Sequence, residues 1–134
     1  MSASGHTFIE MIVALTTLGL LTAGGFATWS NGDLAGRARS AQFAGHLRLA
    51  QSLAMSRGAP FQVAIDGNSY RVEEAASGAV VAGDTVAGAA FSGQFPITFD
   101  SLGRPTNPGL KGLTIDGTTH WVLVHGETGL VTLP

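Results

Sequence analysis

The sequence has no cysteine. Disulfides, thiol nucleophiles and thiolate metal sites are therefore excluded, although the compartment stays open, since many exported chains also lack cysteine. Charge is scarce too: Asp, Glu, Lys and Arg make up 12% of 134 residues, against 45% hydrophobic residues. Such a chain is too apolar for a disordered tail, and its length suits one domain with an appendage. A net charge of −2 gives no general attraction to nucleic acid. Lysine and arginine are missing from Met1 to Asn31, and proline from everything before Pro60. The first absence removes the basic n-region that a general secretory signal peptide needs. The second leaves nothing to forbid helix from about Thr7 to Met55.

What fills the N-terminal region is apolar. From Phe8 to Trp29 there are 22 residues whose only charge is Glu10. At about 1.5 Å per residue such a helix spans roughly 33 Å, enough for the hydrocarbon core of a bilayer. Gly19, Gly24 and Gly25 make it less oily than a plain anchor and allow close helix approach. An ionised carboxylate in lipid costs about 2.5 to 3.5 kcal/mol on insertion scales, so it is usually paired and functional. Glu10 has no Lys or Arg near it, and His6 is the only titratable base before Asn31. Cleavage after Gly5 would create an α-amine at His6, four residues before the acid.

The Ser30-Asn31-Gly32-Asp33 cluster weakens the helix, and Asp33 can begin a second helical section. There Phe43, Leu47, Ala50 and Ala54 recur at i, i+4, i+7 and i+11, an apolar stripe that predicts a seat for a folded head. Arg39, Gln42, His46, Gln51 and Ser52 fall largely elsewhere. After Arg57-Gly58-Ala59-Pro60 the pattern changes to short β-like runs. Phe61 to Ile65 and Ser69 to Glu73 flank Asp66-Gly67-Asn68 as one hairpin; Trp121 to Val124 and Leu130 to Leu133 flank Gly126 to Gly129 as another. Phe95 to Phe99 and Leu113 to Ile115 read as further strands, and Ala75 to Gly93 as loop or weak edge strand. The predicted organisation is 1–5 leader, 6–30 hydrophobic helix, 31–58 amphipathic stem and 59–134 β-rich head. The fold class is α+β, a long N-terminal hydrophobic helix packed on a C-terminal antiparallel sheet.

Charge follows the same division. Arg37, Arg39, Arg48 and Arg57 lie between Leu34 and Gly58 with no acid, whereas seven acids after Ala59 face Arg71, Arg104 and Lys111. The stem arginines Arg37, Arg39 and Arg48 are the candidate contacts to a partner or to DNA. The acidic C-terminal half offers no footing for a nucleic-acid backbone, so that partner is disfavoured. No catalytic or cofactor motif appears: there is no G-x-S-x-G, H-E-x-x-H or P-loop. His120 and His125, five apart, face opposite sides of a regular strand. Asp66, Asn68 and Asp100 read as turn formers rather than calcium ligands. The chain is expected to be neither an enzyme nor a cofactor carrier.

Gly5-His6-Thr7-Phe8-Ile9-Glu10-Met11 followed by a long apolar run resembles the class III signal of type IV pilins and type II secretion pseudopilins. The resemblance implies cleavage between Gly5 and His6 by a prepilin peptidase, N-methylation of His6, and assembly through Phe8, Ile9 and Glu10. It also implies that Glu10 pairs with the N-terminal amine of an adjacent subunit. Phe43 to Val63, Ile97 to Pro105 and Gly129-Leu130-Val131-Thr132 are similar to GspH/FimT-type minor pilins. The implied protein is a filament subunit anchored once in the bacterial inner membrane, its head periplasmic. Its implied partners are other pilin or pseudopilin subunits, the peptidase and an inner-membrane assembly platform. The first reading is a minor pseudopilin of type II secretion; the alternative is a minor type IV pilin in DNA uptake or adhesion.

Overall fold

A computed structural model describes residues 9–16 and 33–134. The predicted leader, Gly5, His6, Phe8 and residues 17–32 of the apolar run lie outside the described residues; Ile9 and Glu10 lie inside. The chain divides into two compact units, Met1–Ala35 and Gly36–Pro134.

In the first unit residues 9–16 are helical (α1). Ile9, Met11, Ile12, Val13 and Leu15 are exposed there, and the Thr16 hydroxyl donates to the Ile12 carbonyl at 2.7 Å. Among the described residues no helix is long and apolar enough to cross a membrane.

From Gly36 onward α2 (Asp33–Arg57) belongs to the second unit and is its base. Its four predicted stripe residues, Phe43, Leu47, Ala50 and Ala54, are all fully buried, joined by Ala44 between them. Gly58 ends the helix at φ 63°, the left-handed turn that a Cβ would penalise. The Arg57 guanidinium then lies 5.5 Å from the centre of the Phe61 ring, so helix end and first strand are tied at once.

Two four-stranded antiparallel sheets follow, where the sequence suggested one. The first runs β3 (Val80–Thr85), β2 (Ser69–Glu74), β1 (Phe61–Asp66), β5 (Ile97–Phe99). The second runs β4 (Ala90–Ser92), β6 (Gly109–Ile115), β7 (Thr118–Val124), β8 (Val131–Thr132). Period-2 alternation drives both: Phe61, Val63, Ile97, Phe99, Leu113, Val122 and Val124 turn inward and are completely buried with the α2 stripe. Aromatic contacts fasten the layers. The Phe43 ring meets Tyr70 edge-on at 5.0 Å and Phe91 at 5.4 Å.

Both expected hairpins are present, β1 with β2 and β7 with β8. Two more were not anticipated, β2 with β3 and β6 with β7. β6 and β7 pair over their full length across Asp116-Gly117, whose φ values of 50° and 78° are both positive, as a type I′ turn demands. The ambiguous stretch Ala75 to Gly93 supplies β3 and β4, one edge strand of each sheet.

Candidate functional site

Glu10 lies in α1 with its side chain exposed, next to exposed Ile9 and Met11. The described part of the signal is thus a helical turn that presents apolar side chains and one acid.

In the second unit the polar side of α2 is joined to the strands residue by residue. Arg39 Nη1 is 2.7 Å from Asp84 Oδ2 on β3. His46 Nδ1 is 2.7 Å from the Tyr70 hydroxyl on β2. Burial first, then the Asp84 charge, pushes the Tyr70 hydroxyl up to about 12, with Arg39 opposing. Arg48 gives two hydrogen bonds, 3.2 and 2.8 Å, to the Val131 carbonyl on β8. Of the three stem arginines singled out from the sequence, Arg39 and Arg48 therefore contact this chain's own head, and Arg37 lines a groove described below.

Gln51 makes a junction that the sequence did not signal. Its amide Nε2 donates to the Gly103 carbonyl at 3.0 Å and to the Thr128 carbonyl at 2.9 Å. The two turns 100–104 and 125–129 are thereby pinned to one side chain of α2. A Cβ on Gly129 would meet both the Gly103 carbonyl and the Gln51 amide, so glycine is required there sterically as well as by its φ of 68°. The Asp100 turn is itself tightly made: Oδ1 accepts from the Leu102 and Arg104 amides, both at 2.9 Å, and Oδ2 from Arg104 Nε at 2.9 Å. The Arg104 amide leads these contacts in holding the Asp100 carboxyl below its ordinary range. Asp100 acts as the turn former that its sequence context suggested.

Two further charges are placed structurally. On the outer face of the first sheet Glu73 accepts from Gln62 Nε2 at 2.6 Å and from Arg71 Nε at 2.7 Å. Those bonds, Gln62 first, hold its carboxyl low. Lys111, only 1% exposed, points inward from β6 and donates to the Gln94 carbonyl at 2.9 Å, 5.5 Å from the centre of the Phe95 ring. Burial lowers its pKa. Alternation along Gly109-Leu110-Lys111-Gly112-Leu113 was the available signal, since it puts Lys111 on the face of buried Leu113.

A groove of about 750 Å³ opens between the first half of α2 and β7, lined by Arg37, Ser40, Thr119, His120, Trp121 and Leu133 among others. Gly36 makes it possible: the His120 imidazole lies so close to its Cα that a Cβ would collide with the ring. Trp121 is 46% exposed on the outer side of β7, its ring lying over Gly112 of β6. His125 is exposed beyond β7, with Nε2 3.2 Å from Thr132 Oγ1. Among the described residues no three His, Cys, Asp or Glu side chains gather as a metal site.

No family model matches the sequence. No curated protein matches it either. Among solved structures the chain is similar to the type IV minor pilin FimU of Pseudomonas aeruginosa strain PAO1 in two crystal forms. The TM-scores are 0.61 and 0.63 at 16% identity, covering 73% and 76% of this chain and 91% and 90% of the FimU chains. That degree of likeness establishes the fold.

Proposed function

From a chain with the type IV pilin-like fold, we propose a minor subunit of a pilus-like filament, processed between Gly5 and His6 and assembled through its N-terminal helix. The observation that carries this reading is a combination. A head with the architecture of a minor pilin follows a segment in which one acid, Glu10, stands five residues after a glycine and before a long apolar run.

The mechanism is assembly rather than catalysis. Removal of the first five residues exposes the His6 amine, which the resemblance expects to be methylated. The helix leaves lipid for contacts with other helices, and the Glu10 carboxylate meets the amine of a neighbouring subunit. Such a charge pair is stronger in a low-dielectric filament core than in water, and desolvating either partner alone is costly. Subunits in the wrong axial register would bury an unpaired charge, so the pair selects the register. Exposed Ile9 and Met11 flank the acid with apolar surface for neighbouring helices. Anchoring in the inner membrane, the peptidase and the assembly platform belong to the same proposal.

A minor pseudopilin of a type II secretion system is the first reading and a minor type IV pilin the alternative. Deletion that abolishes protein export while surface pili persist supports the first; deletion that removes pili and spares export supports the second. The common claim is tested with Glu10→Ala. The variant head should fold normally, and the subunit should be lost from purified filaments. Wild-type levels of incorporation would refute the assembly mechanism.

A further inference from the structure

The second unit carries a single sulfur atom. The sequence has no cysteine, and of its three methionines only Met55 follows Asp33. Met55 stands four residues beyond Gln51 on α2, so the two side chains share a helix face. Both reach the same residue. A Cβ built on Gly103 would sit 2.8 Å from the Met55 sulfur and 3.3 Å from Gln51 Cγ, so the thioether and the Gln51 stem together close over the Gly103 α-carbon. Gly103 is buried beneath them. Met55 itself remains 50% exposed. It seals the junction of the turns 100–104 and 125–129 and stays within reach of a small solute.

We propose that Met55 is an oxidation site whose product, the methionine sulfoxide, loosens the junction that Gln51 makes. The oxidant is a hydroperoxide, with hydrogen peroxide the simplest case. A sulfur lone pair attacks one peroxide oxygen, and the S–O bond forms as the O–O bond breaks. Hydroxide departs and takes up the proton of the transferred OH, so the products are sulfoxide and water; sulfur gives up two electrons and the peroxide accepts them. Reduction by a thiol-dependent methionine sulfoxide reductase restores the thioether.

The consequence follows from what surrounds the sulfur. A thioether suits a methylene and an α-carbon because it is apolar and polarizable, whereas a sulfoxide oxygen is a strong acceptor that needs donors. The turn amides are already spent: Leu102 and Arg104 donate to Asp100 Oδ1, Gly103 to the Asp100 carbonyl and Gly129 to the His125 carbonyl. The Gln51 amide is spent on the Gly103 and Thr128 carbonyls. Either remaining outcome weakens the junction. Hydration of the sulfoxide draws the side chain off Gly103 and admits water to a buried carbonyl, while capture of the Gln51 amide takes a bond from one of the two turns. Those turns hold exposed Leu102 and Leu130, so oxidation alters how apolar surface is presented. Nothing in this switch requires assembly into a filament.

The test treats the full chain in detergent micelles with millimolar hydrogen peroxide and locates added oxygen by peptide mass analysis. Met55 should oxidise within about tenfold of the rate of free methionine. Conversion should speed hydrogen exchange at the Gly103 and Gly129 amides, both bonded inside their turns, at least fivefold. Amides of Val63 and Val72, inside the first sheet, should not change. Met55→Leu should abolish the response and Met11→Leu should keep it. Met55→Gln, polar and of similar length, should show the faster exchange without peroxide, and enzymatic reduction of the oxidised wild type should restore the slow rates. Oxidation of Met55 more than a hundredfold slower than free methionine overturns the proposal. So does complete conversion that changes exchange at both glycine amides by less than twofold, or a response that persists in Met55→Leu.

Discussion

Replacing Gln51 by leucine tests how the head is held to its stem. The wild-type amide donates to two backbone carbonyls from turns far apart in sequence, Gly103 at 3.0 Å and Thr128 at 2.9 Å. A net contribution of about 1 kcal/mol for each bond gives about 2 kcal/mol. The two losses differ in kind. Gly103 is buried, so its carbonyl loses the bond without regaining water, whereas Thr128 is exposed and its carbonyl rehydrates. The buried acceptor should therefore carry most of the cost, and the total should be about 2 to 3 kcal/mol. Urea unfolding of the full chain in micelles, followed by near-ultraviolet circular dichroism, measures it. Gln51→Glu should be at least as damaging, because a carboxylate has no donor for either carbonyl, while Gln51→Lys should recover part of the loss. A change below about 0.5 kcal/mol for leucine, or glutamate behaving like wild type, would refute the assignment of Gln51 as a staple.

Gly36→Ala should gain about 1 kcal/mol of helix propensity and lose about 1 to 3 kcal/mol by displacing the His120 ring. The pair is then strongly coupled: in a His120→Ala background the same change should stabilise, as a thermal-unfolding double-mutant cycle would show. The Asp100 carboxyl is held low in the folded state, by the Arg104 amide first, so its contribution is present above the ordinary 3.8 and is lost as pH falls through the folded value. Asp100→Asn should flatten the acid limb of the stability profile between about pH 5 and pH 2, most visibly in acid-titrated unfolding. Lys111 runs the other way. Its folded pKa is below the ordinary 10.5, so the unfolded chain binds more protons and stability rises with pH up to that value. Lys111→Met should remove this slope and leave the protein as stable as wild type or more so at pH 7, measured by unfolding at pH 7 and pH 10.

The parts of the fold that rest on periodicity were legible. Phe43, Leu47, Ala50 and Ala54 could be read as one buried face because nothing but a 3.6-residue period puts them together, and all four are fully buried. The helix stop at Gly58 and the Asp66-Gly67-Asn68 hairpin followed from turn chemistry alone. The β6–β7 hairpin carried an equally plain signal in Asp116-Gly117, but Thr118 and Thr119 lengthen β7 with polar residues that hide the start of the strand. Ala75 to Gly93 was ambiguous for a physical reason. Val80 and Val81 are adjacent and both exposed, and the small Ala82 and Gly83 follow them, so no apolar alternation marks β3.

The contacts that organise the surface were not legible. Gln51, His46 and Arg48 look like ordinary solvent-facing residues of an amphipathic helix, and their partners lie 24 to 83 residues away. Only the packing of α2 across both sheets brings them to Tyr70, Val131 and Thr128. Arg39, read from the sequence as a contact to a partner or to DNA, meets Asp84 within one chain.

The account as a whole depends on the chemical state of the first residues in the cell. Intact-mass and N-terminal peptide analysis of the protein isolated from assembled filaments should find a chain that begins at His6 and carries an added methyl group on its amine. A subunit that still retains Met1 to Gly5, or one cut after the apolar helix so that Glu10 is lost, would contradict it.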